Sequence, residues 1–417
     1  MTATLPDTID RAACQQLDRR DPLSALREQF VLDDSIVYLD GNSLGRLPIA
    51  TAPRVAHLID EEWARGLVRS WTEADWMNSP LRLGAKIAGL IGAQPDEVIV
   101  TDSTTVDLFK LTAAVLRARP KRRTILTEHD NFPTDRYVSA GAAALIGDRT
   151  YREVAREEIT DSLDSDVALL TLTHVDYRTG AVHDMRALTE AAHRHGALAL
   201  WDLSHSTGAV AVDLSESEAD LAVGCGYKYL NGGPGAPAFL FVAKRLQDEL
   251  HNPIQGWLGH ETPFTLDHAF RRASGMRAWM SGSPPVIAIA ALEVAVDLLL
   301  EVGMQRVAEK ARSLTGLFIQ LADARLARHG FEVVTPRNGL RRGSQVSLRH
   351  ADAYRIDRAL IDRGVIPDFR EPDILRCGLA PLYTRFVDVW DAVEQIAAVM
   401  DQRAFDNPAY GERSFIT

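Results

Sequence analysis

The chain has 417 residues, 46% hydrophobic and 25% charged, with a net charge of −11 from 57 acidic and 46 basic side chains. That length exceeds what one hydrophobic core usually serves and predicts a large domain plus a smaller one; the composition excludes the disordered, collagen-like and disulfide-rich classes. The acidic balance, interrupted only by the short basic run 117–123, argues against a nucleic-acid partner, and the lack of any apolar run of about 20 residues argues against a membrane span.

The N-terminus lacks an apolar leader, so a cytoplasmic protein is expected. Cys14, Cys225 and Cys377 are too few and too scattered for a disulfide framework or a CxxC metal site and read as reduced thiols. Residues 1–70 are read as an N-terminal arm and a segment that packs with the smaller domain.

From there strand and helix patterns alternate. DEVIVTD (96–102) reads as a short buried strand, and the helix predicted over 106–119 sets Val106, Phe109, Ala113 and Leu116 at helical spacing. RTILTE (123–128), VALLTLT (167–173), ALALWD (197–202), ADLAVGCG (219–226) and PAFLFVA (237–243) read as further strands, with a helix over 185–196. Continuous apolar strands separated by helices imply a mainly parallel α/β sheet, whose ligands sit at the carboxyl ends of the strands. A long apolar helix over 284–303 leads into a second, smaller α/β domain, with the boundary expected near 290.

Four weak chemical signals fall at those strand ends. Lys228, in GCGYKYLNGGPGAPAFLFV (224–242), sits between two tyrosines and ahead of a glycine-rich run. A lysine in such apolar surroundings reaches solvent, pairs, or loses its proton and becomes nucleophilic, the plainer reading being a surface lysine beside a turn. Asp202 ends a strand, where a carboxylate can hold a protonated pyridine nitrogen or simply cap the next turn. TDSTTVDLF (101–109) offers hydroxyls and helix N–H groups to a phosphate, or a plain N-cap. Phe132, in HDNFP, could stack on a flat cofactor or belong to the core. In this order the four describe a pyridoxal-phosphate site, and no GxGxxG after a strand, GxxxxGK[ST] or HExxH motif competes with it.

YLDGNSLGRLP (38–48), DLSHSTGAVAVDL (202–214), the Lys228 tract and GWLGH (256–260) closely resemble the kynureninase family, from about residue 30 to about 400. The resemblance implies the fold-type I architecture of the aminotransferase class V group, with a mainly parallel seven-stranded sheet and a smaller C-terminal α/β domain. It implies pyridoxal phosphate on Lys228, Asp202 at the pyridine nitrogen, His205 beside the ring and Phe132 stacked on it. Thr104 and Thr105 match the phosphate loop, Tyr227 the tyrosine that reaches the phosphate and takes part in proton transfer, and Thr173 a hydroxyl near the cofactor. Trp257 and Ser283 match positions that complete the site from the neighbouring subunit of a homodimer, Ser283 departing from the Asn or Thr of the family. Arg376, in ILRCGLAPLY, matches the arginine that grips the substrate's α-carboxylate, a role suited to a planar guanidinium; its alternative is a structural salt bridge.

The implied reaction is hydrolysis of L-kynurenine to anthranilate and L-alanine. An aminotransferase uses the same Lys, Asp and Arg and remains open, as does a non-catalytic protein on this fold, although the lysine is retained. A cysteine desulfurase needs a loop cysteine upstream of the arginine, and 337–350 contains none. The choice between kynurenine and 3-hydroxykynurenine is not legible; Ser283 and the tryptophan-rich stretch 68–78 are the places to look.

Overall fold

The computed structural model describes residues 9–413. Seven strands build the main sheet: β1 (Val98–Thr101), β2 (Thr124–Glu128), β3 (Thr150–Val154), β4 (Val167–Thr173), β5 (Leu198–Asp202), β6 (Leu221–Cys225) and β7 (Ala238–Val242). Their order is β1-β7-β6-β5-β4-β2-β3, and only β7 runs against the others. The carboxyl ends of the remaining six therefore share one edge. β4 is buried along all seven residues because helices cover both faces, which is why it is apolar without alternation. β3 escapes the sequence reading because it is an edge strand: TYREV is half-exposed and polar, with no apolar run to mark it.

α1 (Arg11–Arg20) opens the described chain, and α2 (Ser79–Ile91), α3 (Thr104–Ala118), α4 (Pro133–Ile146) and α5 (Met185–Arg194) belong to the sheet unit. α6 (Val286–Val302) buries Ile289, Leu292, Val296 and Leu299 in the same core, and the ion pairs Arg82–Glu293 and Lys86–Asp297 clip it to α2. α7 (Met304–Arg325) begins in that core with Val307, whereas Leu314, Leu317, Phe318 and Leu321 belong to a second one. The change of core thus falls inside α7, later than residue 290, because the apolar helix expected to open the small domain is buried against the large one.

The second core lies under an antiparallel sheet of β8 (Glu332–Val333), β9 (Gln345–Arg349), β10 (Asp368–Arg370) and β11 (Ile374–Gly378), in the order β10-β11-β9-β8, with α8 (Ala353–Ile361) and α9 (Phe386–Asp401) packed on it. The N-terminal segment divides between the cores: Cys14, Leu17 and Leu39 join the second, Leu23 and Phe30 the first. A two-residue parallel pairing of Val37–Tyr38 with Val365–Ile366 ties it to the small unit and brings Asp40 to Asn42 to the cleft between the units. Pro408–Gly411 forms a short turn, and residues 414–417 lie outside the described residues. Among the described residues no helix is long and apolar enough to cross a membrane, and no cluster of three or more His, Cys, Asp or Glu side chains could hold a metal ion.

Candidate active site

At the shared edge of the sheet one cleft is lined by Thr104, Thr105, Phe132, Thr173, Asp202, His205, Tyr227 and Lys228, together with Thr134, Asp135, Tyr177 and Ser204. Eight of the eleven residues singled out from the sequence meet here. They do so because each follows, or ends, a strand whose carboxyl end points the same way.

Lys228 lies in the irregular turn after β6. Its Nζ is 3.0 Å from His205 Nε2 and 5.7 Å from the centre of the Phe132 ring. His205 is buried, and that burial, followed by the charges of Lys228, Arg376 and Arg370, holds its imidazole well below the ordinary range, so the ring is neutral. Nε2 also lies 3.1 Å from the Asn42 carbonyl, so it accepts from Lys228 in one tautomer and donates to Asn42 in the other.

The turn is held from outside by the N-terminal segment. The Gly45 N–H donates to the Tyr227 carbonyl at 2.8 Å. A Cβ at Gly45 would collide with the Lys228 carbonyl and sit 2.8 Å from the Asn231 Cα, backbone that cannot step aside. Gly45→Ala should therefore displace the lysine turn. Since misplacement by about 1 Å is worth up to about 100-fold, kcat is expected to fall at least about tenfold while far-UV circular dichroism is unchanged.

Behind Lys228 two carboxyl groups divide their roles. Asp202 and Asp135 are both buried and both pushed up by that burial. Asp135 is raised well above the carboxylate range, its second cause being the charge of Asp202; Asp202 is restrained by the Ser204 groups and by Lys228. Burial thus raises Asp135 further than Asp202, whose charged form keeps the Ser204 N–H at 2.7 Å as a fixed donor. Thr173, at the end of β4, donates to Asp135 at 3.1 Å and also reaches the Asn131 side chain.

Thr104 and Thr105 open α3, whose N-cap Ser103 satisfies only the Val106 N–H, leaving first-turn N–H groups free to hold an anion. Thr104 Oγ1 is buried without a partner. The helix start is anchored from below by the fully buried Lys110, which donates to Asp102 and, at 2.9 Å, to the Trp279 carbonyl. Tyr227 reaches the same cleft; the neighbouring Cys225 sulfur, then burial and Asp202, push its hydroxyl up, so it is a neutral phenol able to donate.

These features fit pyridoxal phosphate. The orphaned Thr104 hydroxyl and free helix N–H groups suit its phosphate, the buried Asp202 makes no ion pair among the described residues and a pyridinium would supply one, and Lys228 is the one amine among the lining residues. A larger groove of about 670 Å³ lies beyond Asp176 and Arg178, lined by residues such as Glu128 and Glu153 that are already paired with His183 and Arg136.

Three expected site residues stand apart from the cleft. Arg376, on β11, is buried behind Tyr177, donating to its carbonyl at 2.7 Å and gripping Asp368 with two bonds, Nε–H to Oδ1 at 2.8 Å and Nη2–H to Oδ2. Asn42, with its amide oxygen turned inward, accepts from the same Nε and Nη2 at 2.8 and 3.0 Å. Trp257 is 43% exposed and packs edge-on against the exposed Phe264, and Ser283 is exposed in the loop before α6; neither lines the cleft of its own chain.

Sequence reasoning missed Asp135, Tyr177, Asn42, Asp368 and Arg370. Asp135 carried a signal, an acid three residues after Phe132 in the first turn of a Pro-started helix. Tyr177 had none: it lies in the turn after β4, its ring edge-on to Phe132 at 5.2 Å.

A family model described as the kynureninase C-terminal domain matches residues 307–396. A kynureninase of Burkholderia mallei (strain SAVP1) is 47% identical over 408 residues, covering 96% of this chain and 98% of the relative. One from Pseudomonas fluorescens is 45% identical over 413 residues, covering 98% and 99%. Among solved structures, an apo cysteine desulfurase from Thermococcus onnurineus NA1 superposes with a TM-score of 0.77 at 16% identity, over 91% of this chain and 98% of the other. A variant of C-DES with glycine covalently linked to its pyridoxal-phosphate cofactor gives 0.76 at 16%, over 89% and 98%. At that identity the two structures speak for the fold alone.

Proposed function

The chain belongs to the kynureninase family, and from that premise we propose that it hydrolyses L-kynurenine to anthranilate and L-alanine with pyridoxal phosphate, using Lys228, Tyr227 and Asp202. The observation that carries the reading is the single cleft in which Lys228 Nζ faces the Phe132 ring and the His205 imidazole, in front of the buried Asp202.

When bound, the cofactor supplies the electron sink that lets a proton leave the substrate's α-carbon. Lys228 Nζ takes that proton and returns one, with the neutral His205 beside it as a resting partner. Asp202 would hold the pyridine nitrogen protonated, Phe132 would orient the ring, and Thr104 and Thr105 would hold the phosphate, which would keep the reacting atoms within reach of Nζ. Water adds to the γ-carbonyl, the Cβ–Cγ bond breaks, anthranilate departs and Cβ takes a proton to give alanine. Tyr227, a neutral phenol at the cleft, is placed to donate and recover a proton in these steps, help typically worth about 10²–10⁴-fold. Arg376 is the guanidinium for the substrate's α-carboxylate.

A desulfurase reading, invited by the fold neighbours, lacks its nucleophile: Cys14, Cys225 and Cys377 are all buried. Two finer points complete the proposal. The protein acts in the cytoplasm as a homodimer, in which exposed Trp257 and Ser283 reach the site of the other subunit; mixing Lys228→Ala chains with Trp257→Ala chains should then restore part of the activity that each lacks alone. The decisive experiment adds L-kynurenine to the protein loaded with pyridoxal phosphate. Anthranilate fluorescence with equimolar alanine is expected, and kynurenine consumption with pyruvate-dependent amino transfer and no anthranilate would replace the hydrolase by an aminotransferase.

A further inference from the structure

The ion cluster around Arg376 contains more positive charge than its resident acids use. Asp368 lies directly across the β10/β11 pairing from Arg376, and Arg370, two residues further along β10, shares its face. Asp368 Oδ2 accepts from Arg370 Nη2 at 2.6 Å as well as from Arg376, and Ser43 Oγ bridges the three, 3.0 Å from Oδ2, 3.1 Å from Arg376 Nη2 and 3.2 Å from Arg370 Nη2.

Two other acids face the cluster, Asp40 from the N-terminal segment and Asp357 from α8. Burial first, and then the charge of Asp368, push each of them up to about 8, so both are largely neutral at pH 7. Asp40 Oδ1 and Arg370 Nε are buried without partners. Two guanidinium groups therefore surround one ionised carboxylate, and one positive charge beside the cleft is unmatched.

We propose that Arg370 is a second guanidinium of the substrate α-carboxylate site: it holds Asp368 when Arg376 turns to the substrate, so that Arg376 can exchange its resident carboxylate for the incoming one without leaving Asp368 unpaired. The proposal rests on the reading of Arg376 given above. Without Arg370, each substrate carboxylate reaching Arg376 would strand a buried anion, a cost that falls on binding and not on the chemical step. Arg370 acts through Asp368 and is a positioning residue.

The test compares L-kynurenine with kynuramine, the same molecule without the α-carboxylate, in the cofactor-loaded protein. Arg370→Gln is expected to weaken kynurenine about tenfold, read as KM with kcat held within about twofold, while the inhibition constant of kynuramine stays within about twofold. Arg370→Lys keeps the charge and should recover part of the loss; it serves also if the glutamine variant folds poorly. Equal weakening of both ligands, a fall in kcat alone, or no change in KM would overturn the role of Arg370. Arg376→Lys separates the two readings. If it raises the kynurenine KM and neither Arg370 variant does, only the second guanidinium falls; if Arg376→Lys leaves KM unchanged, the carboxylate site itself lies elsewhere.

Discussion

Lys228→Ala is expected to leave the protein folded and to lower kynurenine hydrolysis by at least about 1,000-fold, with loss of the visible absorption that a lysine-bound pyridoxal carbonyl gives. No other lysine lines the cleft. Lys110, on α3, is committed beneath the helix start to Asp102 and the Trp279 carbonyl. Removing Nζ takes away the group that both holds the cofactor and moves the α-proton, and the proton transfer alone is worth about 10²–10⁴-fold. The structural cost is small, because among the described residues Nζ hydrogen-bonds to the His205 ring, lies over Phe132 and satisfies no backbone carbonyl. Lys228→Arg, which keeps the charge beside His205 but cannot condense with an aldehyde, should be equally inactive with an unchanged thermal midpoint. Retained absorption that borohydride fixes on another lysine would refute the assignment.

What the sequence made legible follows from where each signal is written. β4 and β5 are continuous apolar runs because they are buried on both faces, and their last residues, Thr173 and Asp202, fall at the edge where parallel strands present ligands. Lys228 and Phe132 stand at the same edge for the same reason, and the cleft they share also holds Thr173, His205 and Tyr227, which only the family resemblance points to. Non-local pairings left no such mark. That Asp135 lies beside Asp202 depends on the packing of α4 over β4, and that Asp368 faces Arg376 depends on a cross-strand register that spacing along the chain does not reveal. The membership of α6 was misread for a related cause: an all-round apolar helix announces burial but not which core buries it.

Arg376→Met should cost both stability and substrate affinity, and the two losses can be separated. From the sequence a salt bridge and a carboxylate grip were alternatives for this arginine; in the fold it already makes the salt bridge, with Asp368, inside the small unit and fully buried. Breaking one side of a buried pair typically costs about 3–5 kcal/mol because the other charge is stranded. Here the cost should sit at the low end, since Arg370 and Ser43 still hold Asp368. Urea unfolding of the variant should show a loss of about 3 kcal/mol. Loss of the carboxylate grip adds about 2 kcal/mol or more to the free energy of reaching the transition state, at least about 30-fold in kcat/KM on kynurenine. Replacing the whole group, Arg376→Met and Arg370→Met with Asp368→Met, leaves neither the anion nor the second guanidinium stranded and should regain most of the stability, as apolar replacement of a buried ion cluster generally does. It should regain none of the lost kcat/KM. Recovery of both together would mean that Arg376 serves only to neutralise Asp368, and that kynurenine's carboxylate is bound by another group.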